Sequence, residues 1–176
     1  MLAFTLVGSL LAIPTQAAAE EPVVQAVAET ETVSADPLPT VQINGVAWSQ
    51  SASSAGKVYV GGEFTSARPA GSALGSNETA RSHLLAYNLA SGVMDGSWAP
   101  TANARVLSVA VAPNGSRVYI AGAFTAVNGV TRYRVAALDP TTGAVITSWA
   151  PAVNGVVYDI KATDTTVYFT GSFSAV

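Results

Sequence analysis

Few side chains in this 176-residue chain are of types that do chemistry, and their spacing limits what they can be. His83 is the single histidine. No His-x-x-x-His pair or Asp-x-Asp loop accompanies it, so a metal centre built on it lacks further ligands within sequence reach. It is read as a structural or solvent-facing residue at a strand start. The absence of cysteine excludes a disulfide framework, a thiolate metal site and a cysteine nucleophile in this segment, and no Gly-x-Ser-x-Gly turn is present. A glycosidase would need paired carboxylates. Beyond the N-terminal stretch the candidates are Glu63, Glu78, Asp95, Asp139, Asp159 and Asp164, most of them in turn or loop contexts. No catalytic residue, metal ligand or cofactor is assigned, the reading leans away from an enzyme, and the binding residues stay unknown. Trp48 is the one aromatic that could stack on a sugar, with core packing as the competing reading.

The elements that must position these residues are repeated. Val58-Tyr59-Val60-Gly61-Gly62-Glu63-Phe64 recurs as Val118-Tyr119-Ile120-Ala121-Gly122-Ala123-Phe124 and as Val167-Tyr168-Phe169-Thr170-Gly171-Ser172-Phe173. Ser97-Trp98-Ala99-Pro100 recurs 51 residues later as Ser148-Trp149-Ala150-Pro151. Short Val-, Tyr-, Ile- and Phe-rich runs separated by Gly, Asn, Pro and Asp are strands and turns. In the second unit the expected strands are Val106 to Ala112, Arg117 to Phe124, Arg134 to Leu138 and Ala144 to Trp149. The Pro113-Asn114-Gly115-Ser116 stretch supplies the first hairpin turn. The first unit repeats this as Val46 to Gln50, Lys57 to Phe64, His83 to Tyr87 and Val93 to Trp98, with nine extra residues placed within Ala67 to Ser76. The third unit offers Val156 to Lys161 and Thr166 to Phe173.

Both faces of Val118 to Phe124 are apolar, as expected of a sheet covered on both sides. A period near 50 with four antiparallel strands per unit predicts an all-β fold of β-propeller blades, about two and a half of them. Blade 1 spans about 41–100, blade 2 about 101–151 and a partial blade 3 about 152–176. A stacked β-solenoid is the rival. The repeated glycines 62, 122 and 171 are expected where two blades approach closely, with the following aromatic filling the space beside them. Arg81 and Arg132 coincide across units and are read as ties between blades. Asn88 and Asp139 share one turn position and are read as Asx turns.

Leu2 to Ile13 is a mostly apolar stretch followed by Pro14 and Ala17-Ala18-Ala19, the pattern of a signal peptide (1–19) cut after Ala19. It is shorter than the ~20 apolar residues of a membrane span. The basic start of such a peptide is missing, so the true start is expected upstream; a buried N-terminal strand is the alternative. Residues 20–40 hold Glu20, Glu21, Glu29, Glu31 and Asp36 with no Lys or Arg, and read as an acidic disordered linker. The whole chain is net -3, and its eight cations are spread along the repeats, which gives nucleic-acid binding no support.

The run from Gly122 through Asn128-Gly129 and Arg132 to Val135-Ala136-Ala137-Leu138-Asp139 and Thr142-Gly143 resembles the delta-60 repeat, a kelch-like unit of secreted bacterial β-propeller proteins. Unit one keeps Gly62, Phe64, Thr65, Arg81, Leu85, Ala86, Asn88 and Gly92, but its insertion replaces the Val-Asn-Gly loop. Unit three keeps Gly171, Phe173 and the strands. About 135 residues are covered. The resemblance implies a secreted or cell-surface location and transfers no catalytic residue. The expected function is an extracellular binding or display module with a carbohydrate or cell-surface protein as partner. The alternatives are a segment of an extracellular propeller enzyme whose catalytic groups lie elsewhere, and a structural spacer. Since two and a half blades cannot close a ring, the segment is expected to associate with remaining blades of the same chain or with other copies. The insertion Ala67 to Ser76 is the first place to look for function.

Overall fold

The computed structural model describes residues 38–176. The expected signal peptide and nearly all of the expected linker lie outside the described residues. What is described is all-β, with no helix among the described residues. The strands are β1 (Gln42–Ile43), β2 (Val46–Ala52), β3 (Lys57–Glu63), β4 (Ser66–Arg68), β5 (Thr79–Ala80) and β6 (Leu84–Asn88) in unit one. Unit two holds β7 (Val106–Val111), β8 (Val118–Gly122), β9 (Ala126–Val127), β10 (Val130–Thr131) and β11 (Val135–Leu138). Unit three holds β12 (Val156–Ala162) and β13 (Val167–Ser172). All the strand ladders are antiparallel and none of the sheets closes on itself.

Each unit pairs its first two long strands in the same way, and units one and two add a third. Sheet one is β2-β3-β6, sheet two is β7-β8-β11 and sheet three is the pair β12-β13. Two small ladders, β1-β4-β5 and β9-β10, flank the first two. The alternation read in Val118 to Phe124 is real. Val118 and Ile120 join Ala136 and Leu138 in a core that also contains Tyr59, Leu84, Ala86 and Trp98 of unit one. The opposite face, with Tyr119, Ala121, Val135 and Ala137, packs with Val157 and Ile160 of sheet three. Sheet two is thus covered on both faces, which is why neither face of its strands is polar. Each fully buried Val, Leu or Ile there contributes roughly 1.5–3 kcal/mol.

Two expectations need correction. The fourth strands, Val93 to Trp98 and Ala144 to Trp149, are not continuous ladders: each is reduced to a single bridge, Tyr87 with Met94 and Leu138 with Val145. In unit one Asp95 Oδ1 accepts from the Ser97 and Trp98 amides and curls the backbone away from the sheet, whereas in unit two the Trp149 amide donates to the Ile146 carbonyl. Trp98 and Trp149 then turn inward to meet Tyr59 and Tyr119 edge to face, at 4.9 and 5.0 Å between centroids. The repeated glycines face their own sheet rather than a neighbouring one. A Cβ on Gly122 would lie 2.3 Å from the Arg105 carbonyl oxygen; on Gly62 it would lie 2.2 Å from that of Val46, and on Gly171 2.1 Å from that of Val156. The aromatic is beside the glycine as expected at Gly62, where Phe64 Cδ1 would be 2.8 Å from the added carbon. Close approach between sheets falls one residue earlier, at Gly61, against Val106 and Val109.

Candidate binding surfaces

The first strand of every unit contains the same irregularity. Its register against the second strand jumps between Ala47 and Ser49, between Val106 and Ser108, and between Val157 and Asp159. One residue is therefore extra in each ladder: Trp48, Leu107 and Tyr158. Such a bulge turns an unpaired side chain out of the ladder. Trp48 is 52 % exposed and Tyr158 57 %. Neither belongs to a buried cluster, so the core-packing reading of Trp48 is not what the structure gives.

The residue after each bulge joins the units. Ser49 Oγ accepts from the Val109 amide at 3.1 Å, and Ser108 Oγ accepts from the Ile160 amide at 3.1 Å while donating to Asp159 Oδ1 at 2.7 Å. Ser51 Oγ likewise accepts from the Val111 amide. The first strands of consecutive sheets thus lie side by side. The arginines expected to tie the units instead hold their own: buried Arg81 and Arg132 each donate Nη1 to the preceding carbonyl, Ala80 and Thr131.

A second repeated device escaped the sequence reading. Asn44, Asn103 and Asn154, each just ahead of a first strand, clamp the residues after the repeated phenylalanine. Asn103 Oδ1 accepts from the amides of Thr125 and Ala126, and its Nδ2 donates to Thr125 Oγ1. Asn44 does the same to Thr65 and Ser66, and Asn154 to Ser174 and Ala175. The signal was present as Asn-Gly-Val at 44–46 and 154–156, with a hydroxyl following each Phe.

The carboxylates are engaged by the fold. Asp139 and Asn88 form the expected Asx turns, accepting from Thr141 and Thr142, and from Ala90 and Ser91. The Thr142 bonds hold the Asp139 carboxyl below the usual range. Glu78 braces the insertion through Ser66 and Gly75, Asp164 accepts from the Asn114 amide, and Glu63 stands 3.9 Å from Arg105. Asp95 pairs with Lys57 at 2.6 Å. Burial by itself would raise the Asp95 carboxyl, but its bonds to Lys57 and Ser97 outweigh that and hold it well below the carboxylate range. Among the described residues no three His, Cys, Asp or Glu side chains gather into a metal-holding group. His83 does not start a strand. It adopts φ 68°, as Arg134 does at 70°, its amide donating to Phe64 and its carbonyl accepting from Gly62.

The insertion is located by register. Ala67 pairs with Thr79 as Val127 pairs with Val130, so residues 68–78 stand where unit two has only Asn128-Gly129. Ala67 itself is buried. Pro69 and Ala70 at the start of the insertion line a mostly apolar cleft of about 350 Å³ together with Pro39, Ser91, Gly92, Val93 and Met94. That volume suits a small ligand or a peptide side chain. The geometry offers surfaces for stacking and apolar contact, with no assembled acid-base or nucleophile pair among the described residues. Compared with known proteins, no family model and no curated sequence matches this chain.

Proposed function

We propose that the chain is an exported β-propeller-type segment of the delta-60, kelch-like kind, acting as an extracellular binding or display module for carbohydrate or protein. The export reading rests on the apolar stretch 2–13 with its small-residue site at Ala17 to Ala19. The propeller reading is supported by three equivalent sheets whose first strands lie side by side through Ser49 and Ser108. The observation that carries the binding role is the bulge set: the same ladder position puts Trp48 and Tyr158 out toward solvent. An exposed aromatic with one apolar face is suited to the apolar face of a sugar ring. The apolar cleft beside the insertion suits a protein side chain.

The test is a glycan-array screen of the 176-residue chain, repeated with Trp48→Ala, Tyr158→Ala and a variant whose residues 68–78 are replaced by Asn-Gly. Glycan binding that falls at least tenfold in Trp48→Ala supports the stacking site. Protein capture lost only in the loop replacement moves the site to the cleft. No binding of either kind sinks the binding-module reading and leaves the spacer.

A further inference from the structure

We infer that the cleft beside the Lys57–Asp95 ion pair is a site for a neutral sugar ring, held by hydrogen bonds rather than by stacking. The inference deepens the carbohydrate arm of the binding-module reading, on which it rests, and it uses none of the residues of the bulge set.

The cleft holds about 340 Å³, and Gly56, Lys57, Asn88, Val93, Met94 and Asp95 are among the residues that line it. That volume falls within the range of small-ligand sites. It forms where the turn between β2 and β3 meets the turn that follows β6, and the Leu89 amide ties the two by donating to the Gly56 carbonyl at 2.8 Å. Lys57 is held by three contacts. Its Nζ lies 2.6 Å from Asp95 Oδ2, donates to the Pro140 carbonyl at 3.4 Å and stands 6.0 Å from the centre of the Tyr59 ring. The side chains of the pair keep 26 % and 22 % of their surface open, so the pair is fixed in place and still reachable. Groups fixed before binding lose little freedom when a ligand arrives.

Three polar side chains of the cleft have hydrogen-bonding capacity left over. Asn88 Oδ1 is taken up by its Asx turn, accepting from the Ala90 and Ser91 amides and the Ser91 hydroxyl, and its Nδ2 has no partner among the described residues. Asp95 Oδ1 accepts from the Ser97 amide and hydroxyl and the Trp98 amide, whereas Oδ2 takes Lys57 alone. The Lys57 ammonium has three donors, of which two are engaged. Donors and an acceptor therefore line one cleft, and a sugar hydroxyl, which donates and accepts at once, can answer both. Val93 and Met94 add apolar surface for the C–H groups of the ring. Charge argues the same way. The pair is neutral as a unit, and the two further charges within its electrostatic reach, buried Arg81 by Asp95 and Asp139 by Lys57, cancel each other. An anion would have to displace Asp95 to gain a full positive charge; a neutral hydroxyl needs no such exchange. The constellation is also not part of the repeat. The amide bonds from Asn88 to Val93 and from Asp95 to Ala86 recur in unit two from Asp139 to Ala144 and from Ile146 to Ala137, so Asp139 replaces Asn88 and Ile146 replaces Asp95 there.

The test is a nuclear magnetic resonance titration of the 176-residue chain with glucose, galactose, mannose and N-acetylglucosamine, each into the millimolar range, with glucuronate and inorganic phosphate as charged comparisons. At least one neutral sugar is expected to shift the amide signals of Gly56, Lys57, Asn88 and Asp95 saturably, and to bind more tightly than either anion. Asn88→Asp removes the Nδ2 donors and keeps the turn, as Asp139 does in unit two, and is expected to weaken binding about tenfold. Lys57→Gln is expected to weaken it as much, and circular dichroism melting shows which variants are folded. Trp48→Ala leaves this binding unchanged. Neutral sugars that shift none of these signals, an anion that binds more tightly, or an affinity unchanged in either folded variant overturns the inference. Glycan binding that is lost in Trp48→Ala and kept in Asn88→Asp leaves the binding-module reading standing and removes this cleft from it.

Discussion

Tyr59 shows how one side chain records the joint between units. Its hydroxyl donates to the Pro140 carbonyl of unit two at 2.8 Å and its ring meets edge to face with Trp98, whose Nε1 donates to the Asp139 carbonyl. Burial, with the Asp95 and Asp139 carboxylates adding to it, pushes the phenol up to about 12 from its usual value near 10. The folded value lies above the unfolded one, so the neutral phenol's contribution to stability is complete below about pH 10 and is lost as pH rises through 12. Ultraviolet titration of the folded protein should therefore show one phenolate forming only near pH 12, and Tyr59→Phe should remove that late step. A titration in which Tyr59→Phe deletes a transition near pH 10 would contradict the coupling. The residues of this joint were legible only in part. The recurrence of Trp98 and Trp149 announced a structural role, whereas the Pro140 and Asp139 carbonyls are main-chain acceptors that no side-chain pattern reveals.

At the scale of the element, strands and turns followed from the text because their apolar periodicity and punctuation are local properties. The second and third strands of units one and two fall within a residue or two of expectation. What went unread depends on pairing. The bulges use Trp48, Leu107 and Tyr158, residues ordinary for a strand, so only the register with the next strand exposes them. The asparagine clamps looked like turn residues because their partners lie 20 to 23 positions away. The Asn-Gly pair expected to supply the hairpin at 114–115 puts only Gly115 at positive φ, while Asn128 and Gly129 both adopt it and make the two-residue turn between β9 and β10. The repeated glycine faces a carbonyl at the start of the first strand or just ahead of it. Gly122→Ala is expected to cost about 1–3 kcal/mol, since backbone on both sides must give. Gly96→Ala, whose added carbon meets nothing within 4 Å, serves as the control. Urea unfolding of the two variants measures the difference, and equal midpoints would remove the steric account.

For the molecule as a whole, burial is graded across the stack. Sheet two is covered on both faces, while sheet three keeps Tyr158, Tyr168 and Lys161 open to solvent. Amide hydrogen exchange followed by mass spectrometry should therefore find β8 and β11 slowest and β13 faster, by at least tenfold in protection. Uniform protection would mean that the three sheets open as one. The joints themselves carry a further consequence. Ser49 and Ser108 bind main-chain amides, and every amino acid except proline has one to offer. A unit so attached asks almost nothing of its neighbour's side chains beyond bulk. Gene duplication can then lengthen such a stack, and recombination can exchange its units, without a matching substitution having to arise on the other side of the seam.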